Sequence, residues 1–352
     1  MSPKNIFSNL FVYGAAHAVI DGICAGVIFS ILKNQINSTV DFVSLVILYN
    51  ILAFGLQTIF GFITDYFKSP RTVTLLGCLL TGFSALTFIS FPIAAIILAG
   101  LGNALFHVGA GSISLNLTPK RATAPGIYVA PGALGLLIGT LLGKNGQFIS
   151  WPFILILFIL GILMFVIKKP EMNYTREDKL ENKINYFGLI LFLVFLSITV
   201  RSLVGMLLVF PWKADMTLLI ILTLAVVLGK AFGGIMADKF GWIKISVGAL
   251  ILSIPFLIFG ASIPLLGIVG MFLFNITMPV TLVAISNILP GRPGFAFGLT
   301  CLALILGALP AFSFLKQTLN NKWFILSIIA ISVAALFFGL KLYFNNKKEV
   351  VS

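Results

Sequence analysis

The chain has 352 residues, of which 59% are hydrophobic and only 9% are charged. A soluble protein of this length would carry roughly 25% charged residues, so the composition excludes a soluble fold. The net charge of +13 comes from basic residues scattered through short loops, whereas a nucleic-acid-binding protein gathers them in a patch or stripe. All three cysteines lie in apolar segments, which indicates no disulfide framework.

Apolar segments dominate the chain from its start, and each approaches the roughly 20 residues that a helix needs to cross a bilayer. Because lipid cannot satisfy backbone polar groups, such segments are predicted to be helices. The first is too long for the apolar region of a signal peptide and is predicted to be a retained helix. The twelve expected spans are 7–32, 42–65, 72–90, 93–117, 124–143, 151–168, 185–209, 215–238, 243–260, 263–289, 294–314 and 322–344.

Basic residues alternate between the two sets of connecting loops. One set, which includes both termini, holds sixteen Lys and Arg residues, and the other holds five. Cytoplasmic loops of membrane proteins carry the excess of Lys and Arg. Both termini are therefore predicted to be cytoplasmic, which requires an even number of spans.

A repeat divides the chain into halves. Gly61 and Asp65 end the second span, and Gly234 and Asp238 end the eighth with the same spacing, 173 positions later. The longest polar stretch lies between the halves. We therefore predict an N-terminal six-helix bundle at 1–168, a cytoplasmic linker at 169–184 and a C-terminal six-helix bundle at 185–352. Duplicated halves of this kind are typical of transporters, with the binding site near the bilayer midplane.

These loop motifs resemble those of the major facilitator superfamily, which implies an all-α membrane fold of twelve transmembrane helices in two pseudo-symmetric six-helix bundles. The chain is more closely similar to the fosmidomycin-resistance branch of that superfamily. The resemblance implies transport by alternating access in a bacterial inner membrane. The motifs that carry the branch resemblance are His17-Ala-Val-Ile-Asp21, Ala104-Leu-Phe-His107, Arg201-Ser202 and Leu289-Pro-Gly-Arg292. The gating loops that the superfamily resemblance implies contain Gly61, Asp65, Arg71, Gly234, Asp238 and Arg292.

One position departs from the branch. Its members follow the histidine of span four with Pro and Glu, whereas His107 is followed here by Val108 and Gly109. A membrane-embedded acid is therefore missing, and this argues against the proton coupling and the drug substrates that the branch resemblance implies.

Ionisable residues inside spans are costly and mark function by default. Asp21, His17 and His107 are the predicted proton-coupling residues. His17 and Asp21 are four positions apart and so share a helix face. Two structural alternatives remain. Each histidine forms only hydrogen bonds with backbone groups or asparagine side chains, or Asp21 forms only a structural ion pair with Arg201. A His–Asp–His metal site has no ligand-spacing motif to support it, and no metal is predicted.

Further polar residues in the spans are predicted to line a substrate cavity. Arg201 is the candidate for holding an anionic substrate. Lys230 is a cavity candidate with an alternative, because it lies close enough to the end of its span for its side chain to reach the membrane interface. The substrate-cavity candidates are Arg201, Asn103, Asn275, Lys230, Tyr128 and Gln57.

The predicted function is secondary active transport of a small solute, as proton-coupled efflux. The alternatives are an uncoupled facilitator, an uptake symporter or a sensor on a transporter scaffold. No nucleotide-binding loop or nucleophile–base pair is visible, so an enzyme is not expected. The expected partners are the small-molecule substrate, protons or another coupling ion, and the bilayer. A monomer without cofactor or nucleic acid is expected.

Overall fold

The structure, a computed structural model, describes residues 1–35, 39–174, 185–313, 315–319 and 321–351. Its regular elements are helices. Before residue 175 they are α1 Pro3–Gln35, α2 Thr39–Asn50, α3 Gln57–Phe67, α4 Pro70–Thr87, α5 Pro92–Leu117, α6 Thr123–Val129, α7 Gly132–Asn145 and α8 Ser150–Val166. After residue 184 they are α9 Phe187–Leu207, α10 Met216–Phe240, α11 Trp242–Phe259, α12 Pro264–Asn275, α13 Met278–Ile288, α14 Pro293–Ala308, α15 Leu315–Leu319 and α16 Lys322–Val351.

The helices confirm the predicted order of spans. Ten helical segments of the described chain are long and apolar enough to cross a membrane. The shorter apolar helix α8 and the 18-residue helix α4 occupy the two remaining predicted positions. Residues 175–184 of the predicted linker lie outside the described residues.

Two spans that were expected to be continuous are interrupted. The fifth is divided into α6 and α7 before Gly132, and the tenth into α12 and α13 at Ile276 and Thr277. Proline explains both interruptions, because Pro131 and Pro279 have no N–H to donate to the preceding turn. Such breaks are tolerated in a membrane where neighbouring groups bind the freed carbonyls.

The second span contains a π-helical turn at Ile51–Gly55 between α2 and α3. The N–H of Leu56 donates to the carbonyl of Ile51 at 3.3 Å, across five residues. Turns of this kind are rare and often occur at functional sites.

The chain forms two compact units. The first comprises Met1–Pro119, Ile127–Met172 and Pro293–Leu302, and the second comprises Lys120–Gly126, Asn173–Arg292 and Ala303–Ser352. The division into two six-helix bundles at 169–184 stays a prediction.

Small residues bring α1 and α7 close together in the first unit. Gly139 lies directly against the carbonyl of Gly22, and Gly135 against the carbonyl of Ala18, so a methyl group at either glycine would overlap the backbone of α1. Small residues at four-residue spacing permit this close approach in membrane helices. These contacts between α1 and α7 fix the position of α1, and therefore the position of the polar residues that α1 carries.

Candidate functional site

A cluster of four polar side chains lies inside the first unit. His17 and Asp21 come from α1, and Asn103 and His107 come from α5. His17 Nε2 lies 3.2 Å from Asp21 Oδ2, and His107 Nε2 lies 3.6 Å from Asp21 Oδ1. Asn103 Nδ2 donates to Asp21 Oδ1 at 3.0 Å. The structure thus brings together the three predicted proton-coupling residues, and we call them with Asn103 the His–Asp cluster.

Backbone carbonyls determine the tautomers of both histidines. His17 Nδ1 lies 3.0 Å from the carbonyl of Tyr128, and His107 Nδ1 lies 2.8 Å from the carbonyl of Asn103. A carbonyl oxygen can only accept, so each Nδ1 must carry a hydrogen. In a neutral imidazole the other nitrogen, Nε2, is then an acceptor.

The two Nε2 atoms face each other at 2.9 Å. Two bare acceptors at this distance repel each other, and the carboxylate of Asp21 adds further negative charge beside them. A proton on one Nε2 converts the repulsion into an N–H···N hydrogen bond and creates an imidazolium that Asp21 neutralises. The geometry of His17, His107 and Asp21 therefore suits a single shared proton.

The same three side chains have ligand atoms within 4.8 Å of one another, which is a spacing that could hold a metal ion. Imidazole nitrogen and carboxylate oxygen are ordinary ligands of Zn²⁺. The expectation that no metal binds stays a prediction.

Gly132 closes one side of the His–Asp cluster. A methyl group added there would lie 2.6 Å from Asp21 Oδ2 and closer still to His17 Nε2. Tyr128, in the last turn of α6, packs its ring 5.0 Å from the His17 ring. The last carbonyls of a helix have no intrahelical partner, which leaves the Tyr128 carbonyl available to His17.

Two predicted cavity residues are engaged within the first unit. Asn103 serves the His–Asp cluster by binding Asp21. Gln57 is fully buried on α3, and its Nε2 donates to the carbonyl of Ala53 at 2.6 Å. That carbonyl belongs to the π-helical turn, where the regular α-helical bonding is interrupted.

Arg201 lies on α9 in the second unit, with only 6% of its surface exposed. Its Nη1 donates to the hydroxyl of Thr277, and its Nη2 lies 3.5 Å from the hydroxyl of Thr281. Asn275 donates from Nδ2 to the carbonyl of Met271 in its own helix, at 2.8 Å. The predicted pairing of Asp21 with Arg201 stays a prediction.

Lys230, the remaining cavity candidate, is half-buried on α10 of the second unit. Its carbonyl oxygen lies against Gly126 of α6, where a methyl group would come within 2.8 Å of it. This contact fixes the backbone of α10 at Lys230.

Asp65 caps the start of α14 in the first unit. Its two carboxylate oxygens accept from the N–H groups of Gly294 and Phe295 at 2.9 and 2.8 Å. Gly61, one turn earlier, lies against the carbonyl of Gly294. The glycine permits the close approach, and the aspartate binds the free N–H groups at the positive end of the helix.

Asp238 makes the equivalent contact in the second unit, at the start of α6. It accepts from the N–H groups of Ala122 and Thr123 at 2.9 and 2.8 Å, and from the Thr123 hydroxyl at 2.6 Å. Trp242 Nε1 also donates to it at 3.0 Å. Gly234 lies against the Ala122 carbonyl, as Gly61 lies against that of Gly294.

The two arginines of the predicted gating loops occupy helix ends. Arg71 donates to the carbonyls of Ile167 and Phe165 at the end of α8, at 2.6 and 3.4 Å. A cation at the negative end of a helix is favourable. Arg292 is the residue that precedes α14.

The structure places further residues around the candidate site that the sequence did not indicate. Thr277 and Thr281 bind Arg201, Gly132 makes room for the His–Asp cluster, and Thr123 binds Asp238. The proline at 279 was a usable signal, because it predicts a helix break next to Thr277.

Comparison with known proteins gives a family and a fold. Residues 7–300 match the family model described as Major Facilitator Superfamily. Two solved structures of the Escherichia coli fucose:proton symporter FucP, one of them in the outward conformation, are similar to this chain. Their TM-scores are 0.68 and 0.67 and their identities 11% and 12%, and each comparison covers 96% of this chain and 97% of FucP. The human organic anion transporter MFSD10 is similar with a TM-score of 0.64 and 15% identity, over 97% of this chain and 100% of MFSD10. No curated protein sequence matches the chain.

Proposed function

Because the chain belongs to the Major Facilitator Superfamily, we propose that it is a secondary active transporter that moves a small solute by alternating access and couples this movement to protons. The two predicted six-helix bundles supply the moving parts in this proposal. The coupling residues are Asp21, His17 and His107.

The observation that carries the coupling is the contact of the two histidine Nε2 atoms at 2.9 Å beside the carboxylate of Asp21. With one proton the His–Asp cluster is neutral, and without it the cluster carries the charge of Asp21. A net charge within a bilayer costs several kcal/mol. Proton loading would therefore lower the cost of closing the cluster away from water, which links the conformational change to protonation.

The direction of transport is proposed to be efflux by proton antiport, as the resemblance to the fosmidomycin-resistance branch implies. Symport is the first alternative, because FucP, which is similar in fold, is a proton symporter. An uncoupled facilitator is the second, since the acid expected after His107 is missing. A sensor built on the same scaffold would transport nothing.

The helix caps made by Asp65 and Asp238 support a gating role. Each carboxylate holds the first turn of a helix through two backbone N–H groups, which is a contact that a helix movement can break and remake. We propose that these two contacts form and release during the transport cycle. The solute is proposed to bind among the cavity candidates, and both termini are proposed to be cytoplasmic.

The experiment compares proton-driven accumulation with counterflow in liposomes that contain the purified protein. Asp21→Asn keeps the size of the side chain and can still accept a hydrogen bond, but it cannot balance an imidazolium. We expect this variant to lose accumulation driven by a pH gradient and to keep solute exchange.

Asp215→Asn is the matched control, because Asp215 is an exposed carboxylate that caps α10 through the N–H of Leu218. It should leave both activities unchanged. Full pH-driven accumulation by Asp21→Asn would show that Asp21 is only a structural partner. Absence of flux for every solute in a broad panel would instead favour the sensor.

A further inference from the structure

Arg201 is a buried cation whose partners in the second unit are neutral. A guanidinium has five N–H donors, and here they meet the hydroxyls of Thr277 and Thr281, the second at 3.5 Å. Its Nε is buried and has no hydrogen-bond partner among the described residues. Both hydroxyls use their own hydrogens on backbone carbonyls, so they act as acceptors towards Arg201. Arg201 therefore has donors to spare and a charge that these partners do not neutralise.

The described carboxylates of the second unit are both engaged at helix ends. Asp215 accepts from the N–H of Leu218 at the start of α10, and Asp238 accepts from Ala122 and Thr123 at the start of α6. Among the described side chains of this unit, no acid forms an ion pair with Arg201. A buried charge without a partner is expensive, and arginine stays protonated in proteins. A negatively charged ligand would remove this cost.

The start of α13 lies beside the Arg201 guanidinium, and like the guanidinium it is positively charged. Thr277 is the N-cap residue of this 11-residue helix, but its hydroxyl makes no capping bond to the N–H groups of the first turn. The hydroxyl instead donates to the carbonyl of Phe274 and accepts from Arg201. The N-terminal end of a helix carries a partial positive charge and favours anions. Placing Arg201 there puts positive charge next to positive charge, an arrangement that an anion between them would stabilise.

We propose that Arg201 and the first turn of α13 bind an oxyanion group of the transported solute, either a carboxylate or a phosphate. The planar guanidinium can donate two parallel hydrogen bonds to the oxygens of such a group. Each oxygen has a further lone pair, and a phosphate has additional oxygens, that can accept from N–H groups in the first turn of α13. Broken membrane helices serve this purpose in transporters, where half-helix N-termini point at anionic substrate groups. The inference rests on the proposed function and names the substrate class.

The test measures binding to the purified full-length protein by the shift of its thermal unfolding midpoint. The probes are acetate, methyl phosphate and inorganic phosphate, and acetamide is the neutral analogue of acetate. All are compared with chloride at equal ionic strength. A ligand that binds only the folded state raises the midpoint with concentration. We expect at least one oxyanion to raise it and acetamide not to. Acetate against the two phosphates then shows which oxyanion the site prefers.

Arg201→Gln should weaken the apparent affinity for that oxyanion by about ten- to a hundredfold, since hydrogen bonds to a charged group are lost. Arg201→Lys keeps the charge without the planar fork, so an intermediate loss is expected. Lys322→Gln removes an exposed cation of the same unit and should leave the shift unchanged. If Arg201→Gln fails to fold, Arg201→Lys and Thr277→Val carry the comparison. Equal shifts in the wild type and the Arg201 variants, or an equal shift with acetamide, would overturn the proposal.

Failure of this site is distinguishable from failure of the proposed transport function. Oxyanion binding that depends on Arg201, without pH-driven flux in liposomes, would retain the site and reject proton-coupled transport. Proton-coupled flux of a neutral or cationic solute, with no oxyanion binding, would retain the transporter and reject the site.

Discussion

Asp65 and Asp238, 173 positions apart in the sequence, each accept hydrogen bonds from two consecutive backbone N–H groups at the start of a helix. Asp65 lies 2.8 Å from the N–H nitrogen of Phe295, and Asp238 lies 2.8 Å from that of Thr123. In each case a glycine four residues earlier lies against the backbone of the capped helix. The loop motif of this chain thus caps the N-terminus of a helix, and it occurs once in each unit.

Removal of either carboxylate should loosen the helix that it caps. Asp65→Ala should destabilise the protein by about 1 kcal/mol, as the loss of a helix cap typically does, and should speed amide hydrogen exchange in peptides that contain Gly294 and Phe295. Asp238→Ala should do the same for peptides that contain Ala122. Asp215→Ala is the control, because its effect should be confined to the start of α10. Unchanged exchange at Gly294 and Phe295 in Asp65→Ala would show that the cap does not hold this turn.

A methyl group at position 132 should disturb the His–Asp cluster. Gly132→Ala forces Asp21 and His17 away from their present positions, and overpacking of this kind typically costs 1–3 kcal/mol. The expected result is loss of pH-driven transport with a lower unfolding temperature. Gly82→Ala is the matched control in the same unit, because a methyl group there meets nothing within 4 Å. It should leave transport intact and raise stability slightly, by about 0.5–1 kcal/mol. Equal transport in the two variants would contradict a functional role for the cluster geometry.

The predicted orientation can be tested by labelling two exposed positions with a membrane-impermeant thiol reagent. Lys68→Cys follows span two and should react from the cytoplasmic side, whereas Asn145→Cys follows span five and should react from the opposite side. The native cysteines Cys24, Cys78 and Cys301 are buried, so their background reaction should be low. Reaction of both introduced cysteines from one side would refute the twelve-span topology.

Lys213, which lies outside the predicted spans, makes the free energy of unfolding depend on pH. Burial, and secondarily the nearby charge of Lys316, hold the pKa of Lys213 below its ordinary value of 10.5. The charged form is therefore penalised in the folded protein, and this penalty disappears as pH rises through the lowered pKa towards 10.5, so folding becomes more favourable. Lys213→Gln should be the more stable protein at neutral pH, with an advantage that shrinks as the pH approaches 10.5. Thermal unfolding between neutral pH and pH 10.5 measures this, and an advantage that is constant with pH would contradict it.

Much of the fold was predictable because a bilayer allows few solutions. Long apolar runs such as 42–65 must be helices, and the described spans follow in the expected order. The interruptions at Pro131 and Pro279 were not predicted, although proline is their physical cause. Proline is common in membrane helices, and whether it breaks a helix depends on the partners available to the freed carbonyls. Close to Pro131, His17 is the partner of the Tyr128 carbonyl, which lies in the last turn of α6.

The membership of the His–Asp cluster was predictable in part. His17 and Asp21 share a face of α1 by spacing alone, and buried ionisable groups tend to meet. The assignment of Asn103 to the substrate cavity stays a prediction, and its hydrogen bond to Asp21 was not predicted. That partnership depends on how α5 packs against α1, which a single sequence does not encode in any local pattern. The tautomers likewise depend on carbonyls brought in from other turns.

The π-helical turn at Ile51–Gly55 changes the direction in which the later side chains of the second span point. It places one more residue in a turn than an α-helix does, and each residue of an α-helix advances by about 100°. Everything after the turn, including Asp65, is therefore rotated by about that angle relative to α2. Deletion of one residue within the turn would restore a regular pitch and swing the carboxylate of Asp65 away from the amides of α14. The number of residues in this turn therefore sets the direction in which the Asp65 carboxylate points, and with it the two hydrogen bonds that Asp65 accepts from Gly294 and Phe295.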